Sequence, residues 1–139
     1  MKEIDILNEY MANIIVEINN LYNLKFNSKN NNLNLKKYCK KFTKTYTVIA
    51  ERIKILNGYP ITNLLKIEEL SQIKSMQSRD YTEDMILEVL ENDFSYLKEY
   101  SKDLINFFSK KTDVYTSHML LEIMMYLEKE IWFIKKQKN

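Results

Sequence analysis

Glycine and proline each occur once in 139 residues. Tightly turned or left-handed backbone therefore has few places to form, which excludes architectures of many short strands and favours long helices. Cysteine is also single. Cys39 cannot form a disulfide within the chain, and it reads as a small buried hydrophobe in a reducing compartment. No apolar run approaches the roughly 20 residues that cross a bilayer, so no membrane partner is expected. The opening Met1-Lys2-Glu3-Ile4-Asp5-Ile6 holds two acids and no apolar core of the signal-peptide kind, which predicts a soluble, cytoplasmic chain. A formal net charge of +2 falls short of the basic excess of a dedicated nucleic-acid binder. Histidine is the scarcity with most chemical weight: His118 stands alone, so one chain by itself cannot supply a metal centre that needs several imidazoles.

What is present is periodic. Ile4, Leu7, Met11, Ile14, Ile15, Ile18, Leu21 and Tyr22 recur at spacings of three and four, predicting a first helix over about residues 3 to 25. Asn27 to Asn34 reads as a loop, because short amides compete for backbone hydrogen bonds. A second stripe, Leu35, Tyr38, Phe42, Tyr46, Ile49, Ile53 and Leu56, ends at Asn57-Gly58, with Gly58 and then Pro60 as the expected helix stop. The connection from Pro60 to Asp80 is too long for a bare loop, so Asn63 to Ile73 is expected to form a short crossing helix. Thr82 with Glu83 and Asp84 opens a third stripe of Met85, Ile86, Val89, Leu90, Leu97, Leu104, Ile105 and Phe108. After a break at Lys110 to Thr112, either Asp113 or Thr116 can cap a last helix with Leu120, Ile123, Met124, Leu127, Ile131 and Ile134. Tyr126, Trp132, Phe133 and the methionines, Met119 and Met125 among them, read as core or interface packing. The prediction is a single all-α domain over residues 1–139, with four long helices and one long crossover between the second and third. That is ferritin-like connectivity rather than up-down-up-down.

Particular residues sharpen this. Leu7-Asn8, Ala12, Leu21, Asn23 and Lys25-Phe26-Asn27 in the first helix, Ala50-Glu51-Arg52-Ile53 in the second, then Gly58, Pro60, Leu64, Leu70-Ser71 and Ile73-Lys74 stand in the order of one known family. Thr82-Glu83 with Met85, then Asp113, Thr116 and Glu128-Lys129 with Trp132, continue the series. The chain resembles the Dps mini-ferritins, iron-oxidising cages that protect bacterial DNA. The resemblance implies a ferritin-like four-helix bundle with a short crossing helix, assembled as a homo-oligomeric cage of twelve. Such a subunit sequesters iron, protects DNA under stress, or does both.

The same resemblance implies a ferroxidase centre at a two-fold interface, with two His and a carboxylate from one subunit and an Asp and a Glu from the other. Here Lys25 stands in place of the first His, and Thr47 in place of the Asp. Anchoring on Glu51 puts Asn32 and Lys36 at the second His and its carboxylate; sliding the gap puts Lys36 and Lys40 there. Only Glu51 matches. An ammonium group offers donors and no lone pair, so the centre reads as degenerate and iron oxidation as poor or absent, with Glu51 a vestige. Lysine at these positions could instead neutralise Glu51 across the interface.

Other metal candidates are weaker. His118 and Glu122 are spaced i, i+4 and can hold one metal from one face, and with Asp113 they resemble the acids near the pores that admit iron. Glu17 and Glu51 resemble the inward carboxylates of larger ferritins, without an accompanying Glu-x-x-His pair. Lys36, Lys37, Lys40, Lys41 and Lys44 form a basic strip, either a solvated face or a surface for nonspecific DNA phosphates, while the family's usual Lys-rich tail is absent from the N-terminus. Two alternatives stand beside the homomeric cage. One is a helical protein-interaction module. The other is a non-catalytic subunit of a mixed cage, in which a sister Dps-like chain supplies the histidines.

Overall fold

The structure is a computed structural model that describes residues 2–30 and 32–138. Five helices follow one another: α1 (Lys2–Asn27), α2 (Leu35–Ile55), α3 (Leu64–Leu70), α4 (Glu83–Lys110) and α5 (Val114–Gln137). Among the described residues there is no strand, only one isolated bridge between Ser28 and Tyr81. The chain divides into two compact units, Met1–Glu83 and Asp84–Asn139.

In the first unit α1 and α2 form an antiparallel pair. Leu7, Met11, Ile14 and Leu21 of α1 and Tyr38, Phe42, Ile49 and Ile53 of α2 are buried, as their periodicity predicts, and Leu24 is buried with them. The α1 stripe needs correction at three places: Tyr22 is 38% exposed, and Ile15 and Ile18 are only half-buried. Tyr10, Ala12, Asn13, Val16, Glu17 and Asn20 are buried with the expected residues, so α1 is enclosed over a wider arc than one stripe.

The end of α2 departs from expectation in its chemistry. Asn57, not Gly58, takes the left-handed conformation, with φ 68°. Gly58 N–H donates to Ile53 O and Asn57 N–H to Lys54 O, the two bonds of a Schellman cap. Gly58 is required for a different reason: a Cβ there would lie 2.7 Å from Ile4 Cδ1 and Cγ2. The glycine lets the turn lie against the start of α1.

Residues 57–82 are shaped by α1. Asn8 donates from Nδ2 to Tyr59 O and accepts from Ile61 N–H at 2.8 Å. Asn13, fully buried, accepts from the N–H groups of Gln72 and Ile73 at 2.9 and 3.0 Å and from the Ser71 hydroxyl. Asn20 brackets Lys74 O and Met76 N–H, and Asn23 donates to Met76 O and Gln77 O. Asn27 O accepts from Tyr81 N–H. The connection thus runs the length of α1. It also ends the crossing helix early, at Leu70 rather than Ile73: Ser71 is extended, and residues 72 and 73 give their N–H groups to Asn13.

In the second unit, α4 and α5 form a hairpin closed by a second Schellman cap, with Asp113 N–H on Phe108 O and Thr112 N–H on Ser109 O. Thr112 holds φ 59° without being glycine. Asp113 is the N-cap of α5, accepting from Thr116 N–H at 3.0 Å, so Thr116 is the capped residue and not the cap. Lys138, beyond α5, donates to Glu88 and Glu91 of α4 at 2.8 Å each. Leu87, Phe94 and Ser101 are buried in α4, whereas Met85 and Val89 of the expected stripe are half-buried. On α5, Leu120, Leu127, Ile131 and Ile134 turn inward. Trp132 and Phe133, expected to pack, are 55% and 39% exposed, because they fall beside that stripe rather than on it.

Candidate functional site

Two hollows lie on the α1–α2 pair. The first, about 320 Å³, is lined by Lys25, Ser28, Asn32, Leu33, Asn34, Leu35 and Lys36. It forms where α1 ends and α2 begins, and Asn34 in its lining caps α2 by accepting from Lys37 N–H. Lys25, Asn32 and Lys36 therefore share one site; Lys40, the alternative in the sequence alignment, is not in its lining. The Lys25 ammonium lies 5.3 Å from the Phe26 ring centroid and 5.9 Å from that of Tyr22, within cation–π range. Cys39 is buried on α2. Burial pushes its thiol above the ordinary value, and the nearby Lys25 charge opposes that shift in part.

The second hollow is an open groove of about 590 Å³ lined by Tyr46, Thr47, Ala50, Glu51, Lys54, Ile55 and Pro60. Glu51 is exposed on the outer side of α2. Glu17 is fully buried on α1, so these carboxylates do not form one inward site. Thr47 and Glu51 lie one helical turn apart, but the Thr47 hydroxyl donates to Thr43 O at 3.1 Å and turns away from ligand duty.

As a donor set the first hollow does not fit a transition metal. Two ammonium groups offer no lone pair, and the Asn32 amide offers a single weak oxygen. The groove adds one carboxylate. Among the described residues no group of three or more His, Cys, Asp or Glu side chains could hold a metal ion.

The α5 candidates separate as well. His118 Nε2 lies 3.0 Å from Glu122 Oε1, as the i, i+4 spacing predicts, with both side chains about two-thirds exposed. Asp113 is not with them: its carboxylate caps α5. Residues the periodicity did not single out are buried polar ones, Asn13, Asn20 and Ser71 in the first unit and Glu130 in the second. The Glu130 carboxylate, after burial itself, helps push the Tyr126 phenol above its ordinary value.

The ferritin-like domain family matches residues 4–139. General stress protein 20U of Bacillus subtilis is 31% identical over 87 residues, 63% of this chain and 59% of that protein, so the match spans less than two thirds of the relative's length. A Dps protein from Bacillus brevis is 27% identical with a TM-score of 0.80, covering 96% of this chain and 93% of that one. The Dps of Vibrio cholerae, a member of the ferritin-like diiron-carboxylate proteins, is 20% identical with a TM-score of 0.92, covering 97% and 87%. The fold is thus all-α and ferritin-like, four long helices with a short one between the second and third. On the match over residues 4–139, the chain belongs to the ferritin-like domain family, and its fold is that of the Dps proteins.

Proposed function

We propose that the protein is the subunit of a Dps-like cage of twelve chains, cytoplasmic, that sequesters iron or shields DNA under stress while its oxidation centre is degenerate. The family membership and the likeness to a stress protein support the cage and its setting. The observation that carries the degenerate centre is the hollow where Lys25, Asn32 and Lys36 converge. If this is the family's histidine-bearing half-site, its lone-pair ligands have been exchanged for two cations and an amide, which lowers affinity for Fe(II) and repels it. Glu51, left as the one matching carboxylate, cannot hold iron by itself.

Aerobic addition of Fe(II) to the purified protein, followed by ultraviolet absorbance, tests the reading. The expected course is no faster than Fe(II) autoxidation in buffer. Fast, saturable oxidation abolished in Glu51→Ala would overturn it. The cage is tested separately by native mass: a stable species of 16.8 kDa would exclude it and leave a helical interaction module.

A further inference from the structure

From residue 18 to residue 50 the chain has seven lysines (25, 29, 36, 37, 40, 41 and 44) and no acid. Two of them, Lys25 and Lys36, line the hollow of about 320 Å³ between the end of α1 and the start of α2. No carboxylate shares that lining, and neither lysine has an ion pair or a hydrogen bond among the described residues. Lys25 is half-buried. Its ammonium rests near the rings of Tyr22 and Phe26, which attract a cation without neutralising it.

The other polar groups of the hollow are mostly donors. Asn34 gives its Oδ1 to the Lys37 N–H, so its Nδ2 group is left for another acceptor, and the Nδ2 of Asn32 has none among the described residues. Ser28 is the exception, since its hydroxyl donates to Asn30 O. The first turn of α2 holds no acid, so the positive end of the helix adds to the two ammonium groups. Donors thus reach the hollow from the last turn of α1, from the loop and from the first turn of α2. Such a set repels metal ions and favours an anion with several oxygens. A phosphate, with more oxygens and more charge than a carboxylate, meets more of these donors at once. Nucleic acid is another source of phosphate oxygens, but its backbone is read by cations spread along an open surface. Lys40, Lys41 and Lys44 offer that surface, and all three lie outside the lining.

We infer that the hollow between α1 and α2 binds a free phosphate-class oxyanion, held by the Lys25 and Lys36 ammonium groups with the Asn32 and Asn34 amides as further donors. The site is built within one chain. It goes beyond the cage reading and does not rest on it.

Inorganic phosphate titrated into the purified protein tests the site, with ionic strength held constant by chloride so that screening does not change. Phosphate also stabilises folded proteins by exclusion from their surfaces, so the readout is direct binding by calorimetry and by broadening of the phosphorus resonance. The expected result is saturable binding of one anion per chain, in the millimolar range or tighter. Lys25→Gln and Lys36→Gln should each weaken it by about tenfold, and Lys40→Gln by less than about twofold. Lys36 is exposed, so Lys36→Gln keeps the test open should Lys25→Gln disturb the fold, which circular dichroism checks. The site is overturned if binding does not saturate below about 10 mM, if the Lys36 variant binds as tightly as the parent, or if Lys40→Gln weakens binding equally. A short DNA duplex separates the two sources of phosphate. Failure of the duplex to displace inorganic phosphate supports the small anion, and displacement would assign these lysines to a nucleic-acid surface instead.

Discussion

Residues 57–82, in the first unit, and residues 111–113, in the second, are both connections between long helices, and they are held in opposite ways. The short connection supplies its own bonds: the two N–H groups that follow Lys111 return to Phe108 O and Ser109 O, and Asp113 then caps the next helix. The long one borrows its shape, since Asn8, Asn13, Asn20 and Asn23 of α1 bond backbone groups at residues 59, 61, 72–74, 76 and 77. A chain with one glycine cannot fold such a length on local turns alone, so helix amides act as its template. Damage should therefore spread through the first connection and stay local in the second.

The largest expected effect is Asn13→Ala. It removes one acceptor that serves two buried or part-buried N–H groups, of Gln72 and Ile73, and should cost about 3 kcal/mol in chemical denaturation. A loss under about 1 kcal/mol would mean that the connection holds itself after all. Thr112→Gly should act oppositely and more weakly, stabilising by about 1 kcal/mol, because it relieves a β-branched residue at φ 59°; a thermal melt that drops would show that the Thr112 side chain contributes more than its strain. Smallest of all is His118→Ala. It breaks only an exposed pair and should change stability by less than about 0.5 kcal/mol, and leave iron uptake unaltered. Impaired uptake would restore His118 and Glu122 as an entry site.

The four long helices were legible because apolar spacing is a local property, carried by residues such as Ile49, Ile53, Leu127 and Ile131. Asn13 and Asn20 were not. An amide on a helix reads as solvent-facing, and its partner some sixty residues away leaves no trace in local periodicity. Trp132 and Phe133, expected in core or interface packing, lie outside the core of their unit, since composition alone does not separate a core aromatic from one left at the surface. At the candidate site, residue type was enough to identify Lys25 and Thr47 as poor ligands. The loop before α2 left two alignments open, and the hollow brings Lys25 together with Asn32 and Lys36.

Cys39 has a practical consequence. It is the chain's only thiol, it is 2% exposed, and burial raises its pKa, so the folded protein presents neither access nor thiolate to an alkylating reagent. Its labelling rate is then a clock for the opening of α1 from α2. Because Lys25 of α1 is close enough for its charge to act on the thiol, a change that loosens the α1–α2 pair should quicken the clock, and local opening can be timed without an added probe.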